Sequence, residues 1–349
     1  MNENKFIIRY YNNDDWNKVS DLLVGRNFQT IKALENCWEW QIENNPYNNT
    51  VNKSRFVVED KETNRIISFI AIFKSILIIE SKEYLVNTAM HYVSDESYKG
   101  TGIPLFVKLL QENDFCLTNL TNDDRDVNKI KKLLLRNVIK MPNSYYFKFK
   151  AKFLLKKIII KTIINSIYGS IFNFLFNNYK NESKLRVSEI KEFSKDINSI
   201  FINFNKYHKI YLKKNPDYLN WRYFNHKKFS KETTKIWGCF FEKNIVGYIV
   251  FFQFKGSIYL MELEYEPSKI EIAETLLYYF FKYASKHSVK DIHWNYAPKI
   301  LSGLIRKMNF IKKEDSYYCV KTSAQFQNLD FENEFFGGFA DFEDSHYLN

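Results

Sequence analysis

Glycine is scarce in this sequence, at 10 of 349 residues, and proline is scarcer, at 6. Ordinary glycine usage is about 7%. Collagen-like repeats are therefore excluded, phosphate loops can be few, and each glycine cluster carries weight. Four cysteines, Cys37, Cys116, Cys239 and Cys319, stand far apart, with no CxxC pair and no histidine at metal-ligand spacing. That excludes a disulfide scaffold and a thiolate zinc site, and it leads to the expectation of free thiols, a reducing compartment and no metal. Met1-Asn2-Glu3-Asn4-Lys5 is not followed by an apolar h-region, so no secretory signal is expected and cytoplasmic residence is the default. A spanning helix needs about 20 apolar residues in a row. The most hydrophobic stretch, 153–176, is broken by Lys156, Lys157, Lys161, Asn165 and Asn173.

Hydrophobic residues make up 45% of the chain and charged residues 26%, both near globular averages, so a packed protein is expected rather than disorder or a coiled coil. At ~150 residues per domain the length allows about two domains. Aromatic residues reach 18%, with 32 Phe and 24 Tyr. Lys and Arg number 51 against 40 Asp and Glu, a net charge of +11. This charge suits nucleic acid, an anionic membrane surface, or a phosphorylated cofactor or substrate. A solubilising surface accounts for it equally, because the lysines are spread along the whole chain. The stretch 153–176 reads as a basic, partly amphipathic helix that either bridges two domains or lies peripherally on an anionic membrane face.

Residues 55–59, 66–79 and 84–93 alternate as strands of an antiparallel meander, separated by turn-like 60–64 and 80–83. Ile103, Phe106, Val107, Leu109 and Leu110 follow at helical spacing. A strand at 115–120, a helix at 127–137 and a final strand at 145–149 complete the series. The same order returns after residue 185: a hairpin of 235–241 and 245–254, a strand at 257–265, and a helix striped by Ile272, Leu276, Leu277, Phe280 and Ala284. A strand at 291–295, a helix at 299–308 and a closing strand at 317–321 end it. Landmarks recur with it. Trp40-Gln41-Ile42 aligns with Trp221-Arg222-Tyr223, 181 residues on, and Ile66-Ile67-Ser68 aligns with Ile245-Val246-Gly247, 179 on. Nearly equal offsets point to a duplicated α/β domain.

The most informative glycine cluster is Ser97-Tyr98-Lys99-Gly100-Thr101-Gly102-Ile103, set between the third meander strand and an amphipathic helix. Small residues let the backbone approach a ligand, and successive N–H groups at a helix start hold a pyrophosphate with help from the helix dipole. Lys99 adds a mobile cation. A tight strand-to-helix turn is the plain alternative.

At this loop the sequence resembles the GNAT superfamily of acyl-CoA-dependent acyltransferases. Their signature, Q/R-x-x-G-x-G/A, is matched at its core by Tyr98, Lys99, Gly100, Thr101 and Gly102, with Ser97 in place of the usual Gln or Arg. Met90-His91-Tyr92-Val93-Ser94-Asp95-Glu96 resembles the family's fourth strand without its usual proline. Trp38-Glu39-Trp40 with Asn45-Pro46, and Tyr218-Leu219-Asn220-Trp221-Arg222-Tyr223 with His226, resemble landmarks of tandem GNAT-like proteins associated with bacterial polysaccharide genes. The resemblance implies an α/β (α+β) fold of two tandem GNAT-like domains, each a mixed, mostly antiparallel sheet flanked by helices. The expected division is 1–150 with the acyl-CoA loop, a helical linker 151–184, a second domain 185–325, and an acidic aromatic tail 326–349. The second copy has Glu266-Pro267-Ser268-Lys269-Ile270-Glu271 where its loop would stand, without glycine and with a proline that removes a donor.

The resemblance implies acetyl-CoA, or another acyl-CoA, as co-substrate, held by Tyr92, Val93, Tyr98, Lys99, Gly100, Thr101, Gly102 and Ile103. The thioester carbonyl would be polarised by the strand-four backbone around Tyr92 and Val93. His91 on that strand, and Glu96 after it, are the candidate catalytic groups, with a structural histidine and a solvated turn carboxylate as the alternatives. The acid usual in the family is a tyrosine after strand five. The first copy offers Asn119, Asn122 and Asn128 there, while Tyr296 follows strand five only in the second copy. Glu262 and Glu264 share a strand face and either meet a cationic acceptor or face solvent. Arg222 and His226 either bind the acceptor's anionic part or brace the domains. The acceptor implied is a small primary amine, with a nucleotide- or lipid-linked amino sugar suggested by the polysaccharide association, and no nucleic acid partner. Two other readings stay open: a FemABX-like transferase using aminoacyl-tRNA, against which Gly100-Thr101-Gly102 argues, and a catalytically degenerate binding protein.

Overall fold

The computed structural model describes residues 5–24, 35, 38–48, 55–112, 116–120, 129, 132, 137–140, 145–148, 184–225, 234–287, 289–294, 297, 301–308, 310–312, 317–321 and 335–336. The expected bridging segment 151–183, Asn122, Asn128, His226, Tyr296 and the tail beyond Phe336 lie outside the described residues.

Strand β1 (Phe6–Tyr10) leads through a 3-10 turn into helix α1 (Trp16–Val24). Asp15 closes that turn by accepting from Asn12 N, and Arg9 clamps it with two bonds of 2.6 and 2.7 Å. The meander follows as β2 (Arg55–Asp60), β3 (Arg65–Ile79) and β4 (Lys82–Ser94). Glu80 and Ser81 both take positive φ, the two-residue reversal whose twist matches the flanking strands. Helix α2 (Ile103–Glu112), β5 (Cys116–Leu120), β6 (Asn137–Lys140) and β7 (Tyr145–Lys148) end this half.

The second half repeats the order with β8 (Leu185–Glu189), β9 (Ile210–Leu212), α3 (Pro216–Tyr223), β10 (Thr234–Phe241), β11 (Asn244–Phe254) and β12 (Ser257–Tyr265). Helix α4 (Ile270–Lys286), β13 (Asp291–Trp294), α5 (Ser302–Lys307), β14 (Ile311–Lys312), β15 (Tyr317–Lys321) and β16 (Phe335–Phe336) follow. Helix α3 starts where Asn215 caps Tyr218 N at 2.8 Å, with Pro216 in the first turn, where its missing N–H costs nothing.

Two sheets result, mostly antiparallel and flanked by helices. The first runs β1-β2-β3-β4-β5-β15-β6 and the second β8-β10-β11-β12-β13-β7-β14. The parallel pairs are β4 with β5, β12 with β13, and β16 with β9. The sequence placed 145–149 and 317–321 as the closing strands of their own halves, and this is corrected. Each lies in the other half's sheet: β7 pairs with β13 and β14, and β15 sits between β5 and β6. Period-two alternation marks a strand and its buried face but does not say which edge it joins. Strand β9 of the second half likewise adds to the far end of β3, from Leu77↔Leu212 to Ile79↔Ile210.

The first sheet is covered on both faces. Val19 and Leu23 of α1, with Trp38 and Ile42, pack on Val57, Phe69 and Ala71. Leu105, Phe106 and Leu109 of α2 pack on Phe56, Val58, Ile70 and Ile72. The largest core joins the halves, as Trp40, Phe73, Leu77, Ile79 and Val86 merge with Leu212, Trp221, Tyr223 and the interior of the second sheet. At its centre the two landmark tryptophans stack with ring centroids 5.1 Å apart. Trp40 Nε1 donates to Trp221 O at 2.9 Å, and Trp221 Nε1 donates to Trp40 O at 2.8 Å. Each side of the joint thus satisfies a buried carbonyl of the other.

Candidate functional site

Strands β4 and β5 pair only at Asn87↔Cys116 and Thr88↔Leu117. Beyond Thr88, β4 runs on to Ser94 without that neighbour, so the two strands part along its last residues. On its other edge β4 pairs with β3 at Ala71↔Met90 and then at Phe69↔Val93, leaving His91 and Tyr92 outside the ladder in a bulge. His91 sits there at φ 48. Left-handed backbone costs a non-glycine residue about 1–2 kcal/mol, so its surroundings must hold it there.

From β4 the chain turns into the glycine loop. Asp95 N donates to Ile67 O at 2.8 Å, and Asp95 Oδ1 accepts from both Ser97 N and Ser97 Oγ. Thr101 is buried, its hydroxyl 2.8 Å from Ser68 Oγ and donating to Tyr98 O at 2.8 Å. Ser68 Oγ is also within hydrogen-bond distance of Ser94 Oγ, at 2.9 Å, so serines of β3 and β4 and the threonine of the loop form one polar clasp. Gly100 stands at φ 83, a conformation that L side chains rarely adopt. At Gly102 a Cβ would lie 1.9 Å from Tyr92 Oη, so no side chain fits beneath that ring. Among the described residues, no acceptor meets the N–H groups of Lys99, Gly100 and Gly102 at the head of α2. These amides and the exposed Lys99 can hold an anion.

Of the other residues expected here, Val93 is buried in the α1-side core, and the Tyr92 ring packs on Phe106 of α2 at 4.8 Å. Burial raises the Tyr92 hydroxyl above its usual pKa. Ile103 opens α2, and Glu96 is exposed in the turn. His91 Nε2 lies 2.9 Å from Gln41 Oε1. An amide oxygen only accepts, so this imidazole carries its proton on Nε2. Burial pushes its pKa down to about 4, which makes it a weak base at neutral pH. Gln41 belongs to a π-helical turn, Glu39–Glu43, that also carries Trp40.

The second half is built on the same plan with different contents. Strand β12 pairs with β13 from Ser257↔Asp291 to Leu260↔Trp294 and then runs on to Tyr265 without that neighbour, still paired with β11. Its Glu262 and Glu264, read as solvent-facing or acceptor-facing, are instead 2% and 1% exposed. Their cation is internal. Lys214 Nζ contacts Glu262 Oε1 and lies 2.5 Å from Glu264 Oε1, while Tyr223 Oη donates to Glu262 Oε2 at 2.6 Å. The shared strand face was legible, but its cover, the end of α3 and the segment that precedes that helix, was not. Arg222 is buried as well, with its guanidinium 5.3 Å from the Trp40 ring and 5.8 Å from that of Phe73, which makes it a strut between the halves. The loop that replaces the glycine loop is tied to itself, with Lys269 Nζ 2.6 Å from Glu266 Oε2.

No protein-family model matches the sequence, and no curated protein does. Solved structures do. The GCN5-related N-acetyltransferase of Anabaena variabilis superposes with a TM-score of 0.60 at 9% identity, covering 90% of this chain and 72% of its own. That of Kribbella flavida gives 0.60 at 11%, covering 90% and 71%. The chain has their fold. The N-myristoyltransferase of Saccharomyces cerevisiae, solved with bound myristoyl-CoA, matches at 0.52 and 11% identity over 91% of this chain and 79% of that one. Within the shared fold, sequence reasoning missed Gln41, Lys214 and Tyr223. Gln41 and Tyr223 lie inside the quoted tryptophan landmarks, whereas Lys214 had no signal among so many lysines.

Proposed function

We propose that the protein is an acyl-CoA-dependent N-acyltransferase, taking acetyl-CoA in the first instance and a primary amine as acceptor. The observation that carries this reading is the set of open N–H groups of Lys99, Gly100 and Gly102, at the head of a ten-residue helix and beside the splay of β4 from β5. Bound acyl-CoA supplies an acyl carbon already activated as a thioester. The chain supplies the anion cradle and the bulged β4 backbone that polarises a carbonyl at Tyr92 and Val93. His91 is too weakly basic to take the amine proton, so the acceptor reaches the site already neutral or loses its proton to water. A nucleotide- or lipid-linked amino sugar is the acceptor that the resemblance to polysaccharide-associated proteins favours, with the reaction in the cytoplasm or at its membrane face. Arg222 braces the acceptor's cleft in this reading.

Calorimetry with acetyl-CoA tests the cradle. Wild type should bind one molecule per chain, and Gly100→Glu and Gly102→Glu should each abolish binding by placing bulk and negative charge at the pyrophosphate. Unchanged affinity in both variants, or two molecules per chain, refutes the assignment.

A further inference from the structure

We propose that Gln41 is a positioning residue for the acyl-transfer centre: its bond to His91 locks the β4 bulge, and the Trp40–Trp221 exchange anchors that lock to the second half. The inference rests on the acyltransferase reading and goes beyond it by naming what sets the catalytic strand's geometry.

Three observations converge on it. His91 is a non-glycine residue at φ 48, at the point where β4 leaves its ladder. An imidazole gains nothing from that conformation by itself, so a partner must hold it. Gln41 is such a partner, 1% exposed and 2.9 Å from His91 Nε2. Gln41 is in turn fixed by its neighbour Trp40, whose indole and carbonyl both bond Trp221.

The second half carries a related grip on its fourth strand, without the strained bulge. Counted back from Glu266 N, which donates to Val246 O as Asp95 N donates to Ile67 O, Glu262 takes the place of His91, but it stays in the ladder opposite Val250 and has no positive φ. Tyr223, two residues after Trp221, bonds Glu262 at 2.6 Å. Each tryptophan segment therefore grips the fourth strand of its own half, and the two segments grip each other. In the second half the grip ends on the Lys214 cluster, with no glycine loop beside it. In the first half it ends beside the anion cradle. A polarising amide must sit within a few tenths of an ångström of its place, so a bulge free to relax lowers turnover without loosening the cofactor.

Three variants of the full-length chain separate positioning from mere stability. Gln41→Leu should lower kcat at least tenfold while changing the KM for acetyl-CoA less than twofold. Gln41→Glu keeps an acceptor oxygen for His91 and should stay within threefold of the wild-type kcat. The double variant Gln41→Leu/His91→Gly should regain most of the lost kcat, because glycine adopts positive φ without a tether. A Gln41→Leu protein that melts lower yet keeps its kcat overturns the proposal, and so does a double variant no better than the single. A wild type that turns over no acyl-CoA would refute the acyltransferase reading. Amide hydrogen exchange at His91 and Tyr92 would then decide the lock by itself: at least tenfold faster exchange in Gln41→Leu supports it, and an unchanged rate overturns it.

Discussion

Cutting the chain after residue 150 tests the strand exchange most directly. The fragment 1–150 keeps β1 to β5 and β6 but loses β15, which lies between β5 and β6 in the intact sheet. All five residues of β15 face β5, from Tyr317↔Leu120 to Lys321↔Cys116, and those from Tyr317 to Val320 also face β6. Counting about one ladder bond per facing residue at a net ~0.5–1.5 kcal/mol each, the loss is roughly 5–13 kcal/mol. Whole domains are stable by only about 5–15 kcal/mol, so the missing strand removes most or all of the margin. The fragment also bares Trp40, Phe73, Leu77 and Ile79, which the second half buries. Expressed alone, 1–150 should show no cooperative urea transition and should bind a hydrophobic dye. Co-expressed with 151–349 it should be recovered as a folded complex, because both exchanged strands are then present. A lone fragment with a sharp transition and a well-dispersed amide spectrum would refute the reasoning.

Two further predictions concern buried charge. His91 and His208 both have pKa values lowered to about 4 by burial, against 6.5 when unfolded. The unfolded chain takes up protons that the folded chain refuses, so this stability is present in full above pH 6.5 and is lost as pH falls toward 4. For His91 the loss is about 2 kcal/mol by pH 5. Urea midpoints at pH 7.5 and 5 should show it, and His91→Asn, which tolerates positive φ, should flatten the dependence; an equal slope in that variant would contradict the assignment. Lys214→Met should cost about 3–5 kcal/mol by leaving Glu262 and Glu264 buried without a cation, and Lys214→Met/Glu264→Leu should regain part of it; a single variant as stable as wild type would show that the carboxylates carry no charge.

What the sequence showed was set by local chemistry, and what it hid depended on distant pairing. The meander turns at 60–64 and 80–83 appear where their polar, positive-φ residues placed them, and Gly100 and Gly102 occupy positions that only glycine fills easily. The recurrence of Trp40 at Trp221 was visible as an offset, and the rings pack on the strands as Trp221 stacks on Phe73, but that they also stack on each other was not. Nothing in either segment tells that the other is its partner. Glu262 and Glu264 showed the right alternation for a shared face, and only the fold reveals that Lys214, 48 and 50 positions earlier, lies over it. His91 was legible as a histidine on the fourth strand, whereas its place in the bulge and its bond to Gln41 were not.

The exchange also bears on why a half with no glycine loop keeps its whole architecture. If the second half held only an acceptor, the sheet edges far from any cleft would be free to vary. Instead β15 is needed to join β5 to β6, and β7 to join β13 to β14, so either closing strand that degenerates opens the other sheet. Strand β9 adds the same dependence at the end of β3, and the tryptophan exchange adds it at the centre. The loop 266–271 belongs to none of these joints. Its Glu266 is tied to Lys269 and Ser268 within the loop itself, so a loop without glycine leaves every strand that completes the first sheet in place.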